Sequence, residues 1–166
     1  MVEDRVARFE AVLAEHDAGL RAFVYRLVGS DVDDVLQDAY LAAFRALPAF
    51  RGEAALRTWL HRIAYTTALN ALRSRSRRLQ RDDRNVLAGG VDEAATAAHR
   101  VDLERALAKL TVEARSVLIL VDAQGFSYDE VAQVLGVAAG TVASRLHRAR
   151  ERVRAAMQEG ERAHGR

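Results

Sequence analysis

The residues best equipped for chemistry lie in "SYDEVAQVLGVAAGTVASRLHRAR" (residues 127–150) and in the turns that follow it. From Ala139 to Met157 five arginines accompany a single glutamate. Guanidinium groups spread along one helix offer paired N–H donors to guanine edges and to phosphate oxygens. That chemistry recognises a surface; it makes and breaks no bonds. A second cationic block, Arg57 to Arg81, holds seven arginines and no carboxylate, whereas Met1 to Asp38 holds nine carboxylates against four arginines. The formal net charge of +2 conceals this separation. The basic blocks are candidate polyanion contacts, and the acidic opening suits a different, basic partner. Arginine makes up 24 of the 25 basic residues. With so much alanine alongside, codon bias in a GC-rich genome is the simpler account of that preference.

Other chemistries find little to work with. The chain has no cysteine, which excludes disulfides, thiolate metal sites and a thiol switch within it. It contains no Walker phosphate loop and no zinc-protease motif. Its five histidines, His16, His61, His99, His147 and His164, are scattered, and solvent-exposed helix positions account for most of them. The expectation is therefore a binding protein and not an enzyme, with no metal and no cofactor. No apolar run approaches a membrane span and the N-terminus has no secretion signal, so a cytoplasmic protein without membrane insertion is expected.

The elements that position the arginines follow from the spacing. Ser127 with Glu130 three residues on forms a capping box that starts a helix. Val131, Ala132 and Leu135 form its buried side, and Gly136 suits the left-handed position after a helix end. A second helix starts near Ala139 and buries Val142, Leu146, Ala149, Val153 and Met157. Ala132, Gly136 and Val142 then have the spacing of a helix-turn-helix, with a small residue for close approach, a glycine for the turn and a β-branched lock. With that side buried, Ser144, His147, Arg148 and Glu151 face outward, and Thr141, Arg145 and Arg152 follow one flank. Such a helix fits a major groove.

Helical periodicity dominates the rest. "DVDDVLQDAYLAAFRAL" carries one apolar stripe, Val32, Val35, Leu36, Ala39, Tyr40, Ala43, Phe44 and Leu47, with Ser30 or Asp31 as a cap and Pro48 as the stop. A further helix spans about Ala54 to Arg78, with Leu56, Trp59, Leu60, Ile63, Thr67 and Ala71 on one face. "QRDDRNVLAGGVDEAATAAH" (residues 80–99) has paired glycines and no stripe, and reads as a flexible linker. The fold expected is all-α: two small helical domains, residues 1–79 and 100–166, joined by the linker at 80–99, with a helix-turn-helix in the second. Domains of that size bury modest cores, so partner contacts should matter to them.

The order "DVDDVLQDAYLAAFRALPAF", then "FRGEAALRTWLHRIAYTTALNALRSRSRR", then "GFSYDEVAQVLGVAAGTVASRLHRARERV" resembles the bacterial sigma factors, and within them the extracytoplasmic-function (ECF) subfamily. The likeness runs from about Asp17 to Met157. It implies a subunit that directs core RNA polymerase to chosen promoters, opens the −10 region and is a monomer when free. It implies partners as well: the polymerase clamp helices and flap, promoter DNA and an anti-sigma factor. By resemblance, Asp34, Gln37 and Asp38 in "DVLQD" dock on the clamp helices. Phe50, Arg51 and Gly52 shape the rim of a pocket for an unstacked −10 base, Thr66 lies near it, and Arg62, Arg73, Arg75, Arg77 and Arg78 hold phosphates. Thr141, Ser144, Arg145, His147 and Arg148 match the −35 readers. Two positions depart from the family pattern: Thr66 stands where relatives often have Asn, and Ala143 where they usually have Lys or Arg. Trp59 falls between Leu56 and Ile63 and reads as core. The acids Asp82, Asp83, Asp92 and Glu93 suit a linker threading polymerase channels. The rival expectation is a stand-alone helix-turn-helix repressor or activator.

Overall fold

A computed structural model of the chain describes residues 2–81 and 97–164. Every element among them is helical: α1 (Val2–Val28), α2 (Val32–Ala46), α3 (Leu56–Arg81), α4 (Ala97–Ala108), α5 (Val112–Leu118), α6 (Tyr128–Leu135) and α7 (Ala139–His164). Single 3₁₀ turns follow α1 (Gly29–Asp31) and α2 (Leu47–Ala49), and a π turn (Ile119–Ala123) extends α5. α3 runs to Arg81 and α4 begins at Ala97, so most of the stretch expected as a linker lies outside the described residues. Its acids Asp82, Asp83, Asp92 and Glu93 lie outside the described residues.

The expected starts and stops are largely present. A further cap, which the sequence reading did not single out, is Thr111, which starts α5 by accepting from the Ala114 N–H at 3.3 Å. Ser127 and Glu130 form both halves of the capping box, at 3.2 and 2.8 Å. Gly136 sits at φ 68°, ψ 39°, where a β-carbon would be strained. At α2 the outcome differs. Neither Ser30 nor Asp31 caps it through a side chain; Asp31 instead points to Arg75 across the helix pair, at 3.5 Å.

α1, α2 and α3 pack on one another through Leu20, Phe23, Val24, Leu36, Leu60 and Ala68, all nearly inaccessible to water. Each fully buried leucine or phenylalanine in this set contributes about 2 kcal/mol. The same cluster continues without a break into Val117, Leu120, Val131, Val134, Val142 and Leu146 of the second half. The helices on either side of the linker therefore share one core, with α3 lying against α6 and α1 against α5. Arg115 reinforces the joint. Its guanidinium donates to the carbonyls of Leu107, Ala108 and Leu110 at the end of α4, and at 2.9 Å to Arg26 O near the end of α1. A cation there is favoured by the partial negative charge of both helix ends. A smaller cluster, Leu107, Leu110 and Ala149 with Val153, holds α4 to α7.

Candidate nucleic-acid interface

α3 has three working sides. The first faces α2 across a groove of about 950 Å³ lined by Asp31, Asp34, Asp38, Leu41, Arg45, Arg75, Arg78 and Leu79. Asp34, Gln37 and Asp38 are exposed, as the apolar stripe requires, since Val35, Leu36 and Ala39 turn inward. Leu41 and Leu79 remain 47% and 45% exposed, so the groove combines both signs of charge with unburied apolar surface.

The second side is a stripe. Arg62, Thr66, Arg73 and Arg77 recur at helical spacing and all are exposed. Thr66 Oγ1 donates to the Arg62 carbonyl at 2.9 Å, leaving its lone pairs and methyl group outward. Trp59 begins the same stripe. Its ring is half-buried against the core and tilted over Phe50, with centroids 4.9 Å apart, so it joins the core to the loop before α3. Arg51 and Gly52 are exposed beside it, and Gly52 takes φ 74° with open space around it. The backbone thus turns there without crowding a ligand. The stripe gathers Phe50, Arg51, Gly52, Arg62, Thr66, Arg73 and Arg77. Arg75 and Arg78 do not join it; they line the α2 groove with the acidic residues.

The outward face of α7 agrees with the helical wheel. Ser144, His147 and Arg148 are exposed, while Thr141 and Arg145 are half-buried on the flank. Arg148 donates to Ser144 O at 3.2 Å and reaches its hydroxyl at 3.4 Å, and His147 lies 3.5 Å from Glu151. These contacts extend the two longer side chains along one face. Arg150 is committed elsewhere, paired to both carboxylate oxygens of Asp122 at 3.0 and 2.5 Å.

The third side of α3 is the one that hydrophobic spacing did not reveal. Thr58, His61, Ala64, Tyr65 and Ala68 are buried. His61 is thus not a solvent-exposed helix position: the ring is packed between Phe23 and Phe126. Burial and then the Glu113 carboxylate push the Tyr65 phenol above its ordinary range, while Arg145 and Arg73 pull against them. Arg145 of α7 is therefore within electrostatic reach of α3.

Among the described residues no group of potential metal ligands comes together, and no helix is long and apolar enough to cross a membrane. The arrangement is suited to binding: an amphipathic groove, a cationic stripe ending in an aromatic pair, and a helix-turn-helix.

Comparison with known proteins identifies both halves. Residues 13–78 match the family model for sigma-70 region 2, and residues 100–153 that for sigma-70 region 4. The ECF RNA polymerase sigma factor SigM of Mycobacterium tuberculosis H37Rv is 38% identical over 152 residues, covering 90% of this chain and 76% of the relative. The ECF RNA polymerase sigma-E factor of Escherichia coli K12 is 34% identical over 160 residues, covering 87% and 84%. Among solved structures, the sigma factor RpoE of Bartonella quintana in complex with the anti-sigma factor NepR superposes with a TM-score of 0.82. That fit has 29% identity and covers 91% of this chain and 97% of the other. CnrH in complex with the cytosolic domain of CnrY gives 0.66 at 27% identity, covering 91% and 88%.

Proposed function

This chain belongs to the sigma-70 family, among the ECF RNA polymerase sigma factors, and on that premise we propose that it binds core RNA polymerase, directs it to a set of promoters and opens their −10 region. It acts as an initiation subunit and not as an enzyme or a stand-alone repressor. Membership through both region 2 and region 4 carries this reading, because a solitary helix-turn-helix regulator has no use for the first half. In this assignment residues 1–79 dock on the polymerase and read the −10 element, residues 80–99 connect, and residues 100–166 read the −35 element.

Asp34, Gln37 and Asp38 supply the polymerase contact; their exposure on the outer side of α2 supports this. Phe50, Arg51, Gly52, Arg62, Thr66, Arg73 and Arg77 form the −10 surface. An aromatic pair beside a cationic stripe suits an unstacked base followed by backbone phosphates. Ser144, Arg145, His147 and Arg148, with Thr141, form the −35 surface, where an arginine can bridge the two acceptors of a guanine edge. Arg75 and Arg78, grouped with the α2 carboxylates, belong with the polymerase contact in place of the −10 phosphates. The relatives solved with anti-sigma partners make such a partner the natural regulator of this chain too.

Replacing Asp34 and Gln37 together by alanine should abolish promoter-dependent transcription by weakening the polymerase contact. Competition against the unaltered chain for core polymerase reads this directly. A double variant that competes equally well would remove the docking assignment.

A further inference from the structure

Arg150 belongs to the cationic run of α7 but differs from its neighbours in what it touches. It lies about 140° round the helix axis from Arg145, on the flank opposite Thr141 and Arg145. Ala143, seven residues earlier, shares that flank and stands where the family pattern has Lys or Arg. Arg150 would thus be the natural substitute for a missing phosphate contact. Its geometry says otherwise. Nε and a terminal nitrogen of its guanidinium donate to the two carboxylate oxygens of Asp122, at 3.0 and 2.5 Å. The Tyr128 phenol at the start of α6 lies close enough to the same guanidinium to favour its charge.

Asp122 projects from a fixed support. It lies in the π turn, whose end is closed by the N–H groups of Gln124, Gly125 and Phe126 bonding to the carbonyls of Ile119, Val121 and Leu120 at 2.9–3.1 Å. Ile119 and Leu120 anchor that turn in the core. The buried side of α7 is different in kind: Val142, Leu146 and Ala149 are apolar, and their burial is non-directional. A guanidinium joined to a carboxylate at two points has a fixed plane and resists rolling of the helix that carries it. Base reading depends on that resistance. At about 6 Å from a helix axis a roll of ~20° moves a side chain by about 2 Å, whereas hydrogen-bond lengths vary by only about 0.5 Å. With side chains 47% and 37% exposed, the pair adds little to stability, so its consequence is orientation.

We propose that Arg150 is a positioning residue for −35 recognition: clamped to Asp122, it fixes the roll of α7 so that Ser144, His147 and Arg148 meet base edges, and it contributes no charge to the DNA. This rests on the reading of α7 as the −35 surface, while the clamp itself is a property of the chain alone. It also gives Asp122, an acid beside a cationic helix, a reason to be there.

Arg150→Ala and Asp122→Asn, each in the full chain, are measured as holoenzyme on promoters that differ only in the −35 element. Each should lower the preference for the best −35 sequence about three- to tenfold. The double variant should lose no more than either single one, because both break the same contact. In Arg150→Ala the salt dependence of promoter binding should be unchanged. A fall of about one ion there would make Arg150 a phosphate contact and overturn the proposal. Orientation is read without DNA, using the absence of cysteine. Nitroxide labels at Gln133→Cys of α6 and Ala155→Cys of α7, both exposed positions, should give one narrow distance distribution that broadens in Arg150→Ala. Circular dichroism confirms that each variant is folded. A −35 preference that survives in the folded variants also overturns the proposal. Should the unaltered holoenzyme show no −35 preference while the distances still broaden, the initiation reading falls and the clamp on α7 stands; if the distances stay narrow as well, both fall.

Discussion

Arg148 gives the sharpest residue-level test. It is exposed on the outer face of α7 and held along that face by Ser144. If it bridges a guanine, Arg148→Ala should cost about 1–3 kcal/mol at one −35 base pair and relax preference there. Binding measured across promoter variants checks this, and an equal loss on every sequence would reduce Arg148 to a phosphate contact. The position was legible because the pattern Val142, Leu146 and Ala149 leaves little choice about which side of the helix is free. His61 was not legible. A histidine among arginines and leucines has no periodic signature, and its burial depends on Phe126 and Gln124, more than sixty residues away. Trp59 was half legible: spacing gave its core contact, but its partner Phe50 comes from the loop before the helix, where no period applies.

At the scale of elements, α3 carries most of the information. Its arginines sort by direction, which a count of charges cannot do. Arg73 and Arg77 are exposed on the stripe proposed for the −10 element, whereas Arg75 meets Asp31 across the α2 groove and Arg78 lines that groove. Alanine at Arg73 or Arg77 should lower the salt dependence of promoter binding by about one ion each. Alanine at Arg75 or Arg78 should leave that slope alone and weaken the hold on core polymerase. The measurement is the slope of holoenzyme–promoter affinity against salt concentration, and equal slopes for all four variants would erase the distinction. The α2 side of α3 was readable because Leu56, Leu60 and Ile63 are large and apolar. The opposite side, Thr58, His61, Ala64, Tyr65 and Ala68, uses small and polar residues, so hydrophobic periodicity passes over it. α6 shows the same effect more mildly. Val134 is buried along with Val131 because this short helix is sandwiched between α3 and α7.

For the whole molecule, an all-α fold in two parts was evident from the stripes and the glycine-rich interruption. That the parts share a core was not, because each half taken alone satisfies its own pattern. The shared core gives the fold a pH dependence. Burial holds His61 below its ordinary value of 6.5, helped by the Arg57 guanidinium and by His16 of α1; the bonds to Arg57 O and Gln124 oppose this. Glu130 of α6, drawn below the usual carboxylate range by its hydrogen bonds to Ser127, stays ionised through this window. Unfolding returns His61 to water, so the unfolded chain binds the proton more readily. The fold is then fully stabilised above about pH 6.5, and loses stability as pH falls from there toward the lowered value. The midpoint of thermal unfolding should fall on acidification through this window, and the His61→Gln variant should flatten the profile; a flat profile in the unaltered chain contradicts the assignment. The central claim concerns the molecule's larger partner. Purified core polymerase, mixed with this chain and a library of genomic fragments, should begin transcription at a new and limited set of start sites sharing two spaced elements. Start sites that are the same with and without the chain would contradict it.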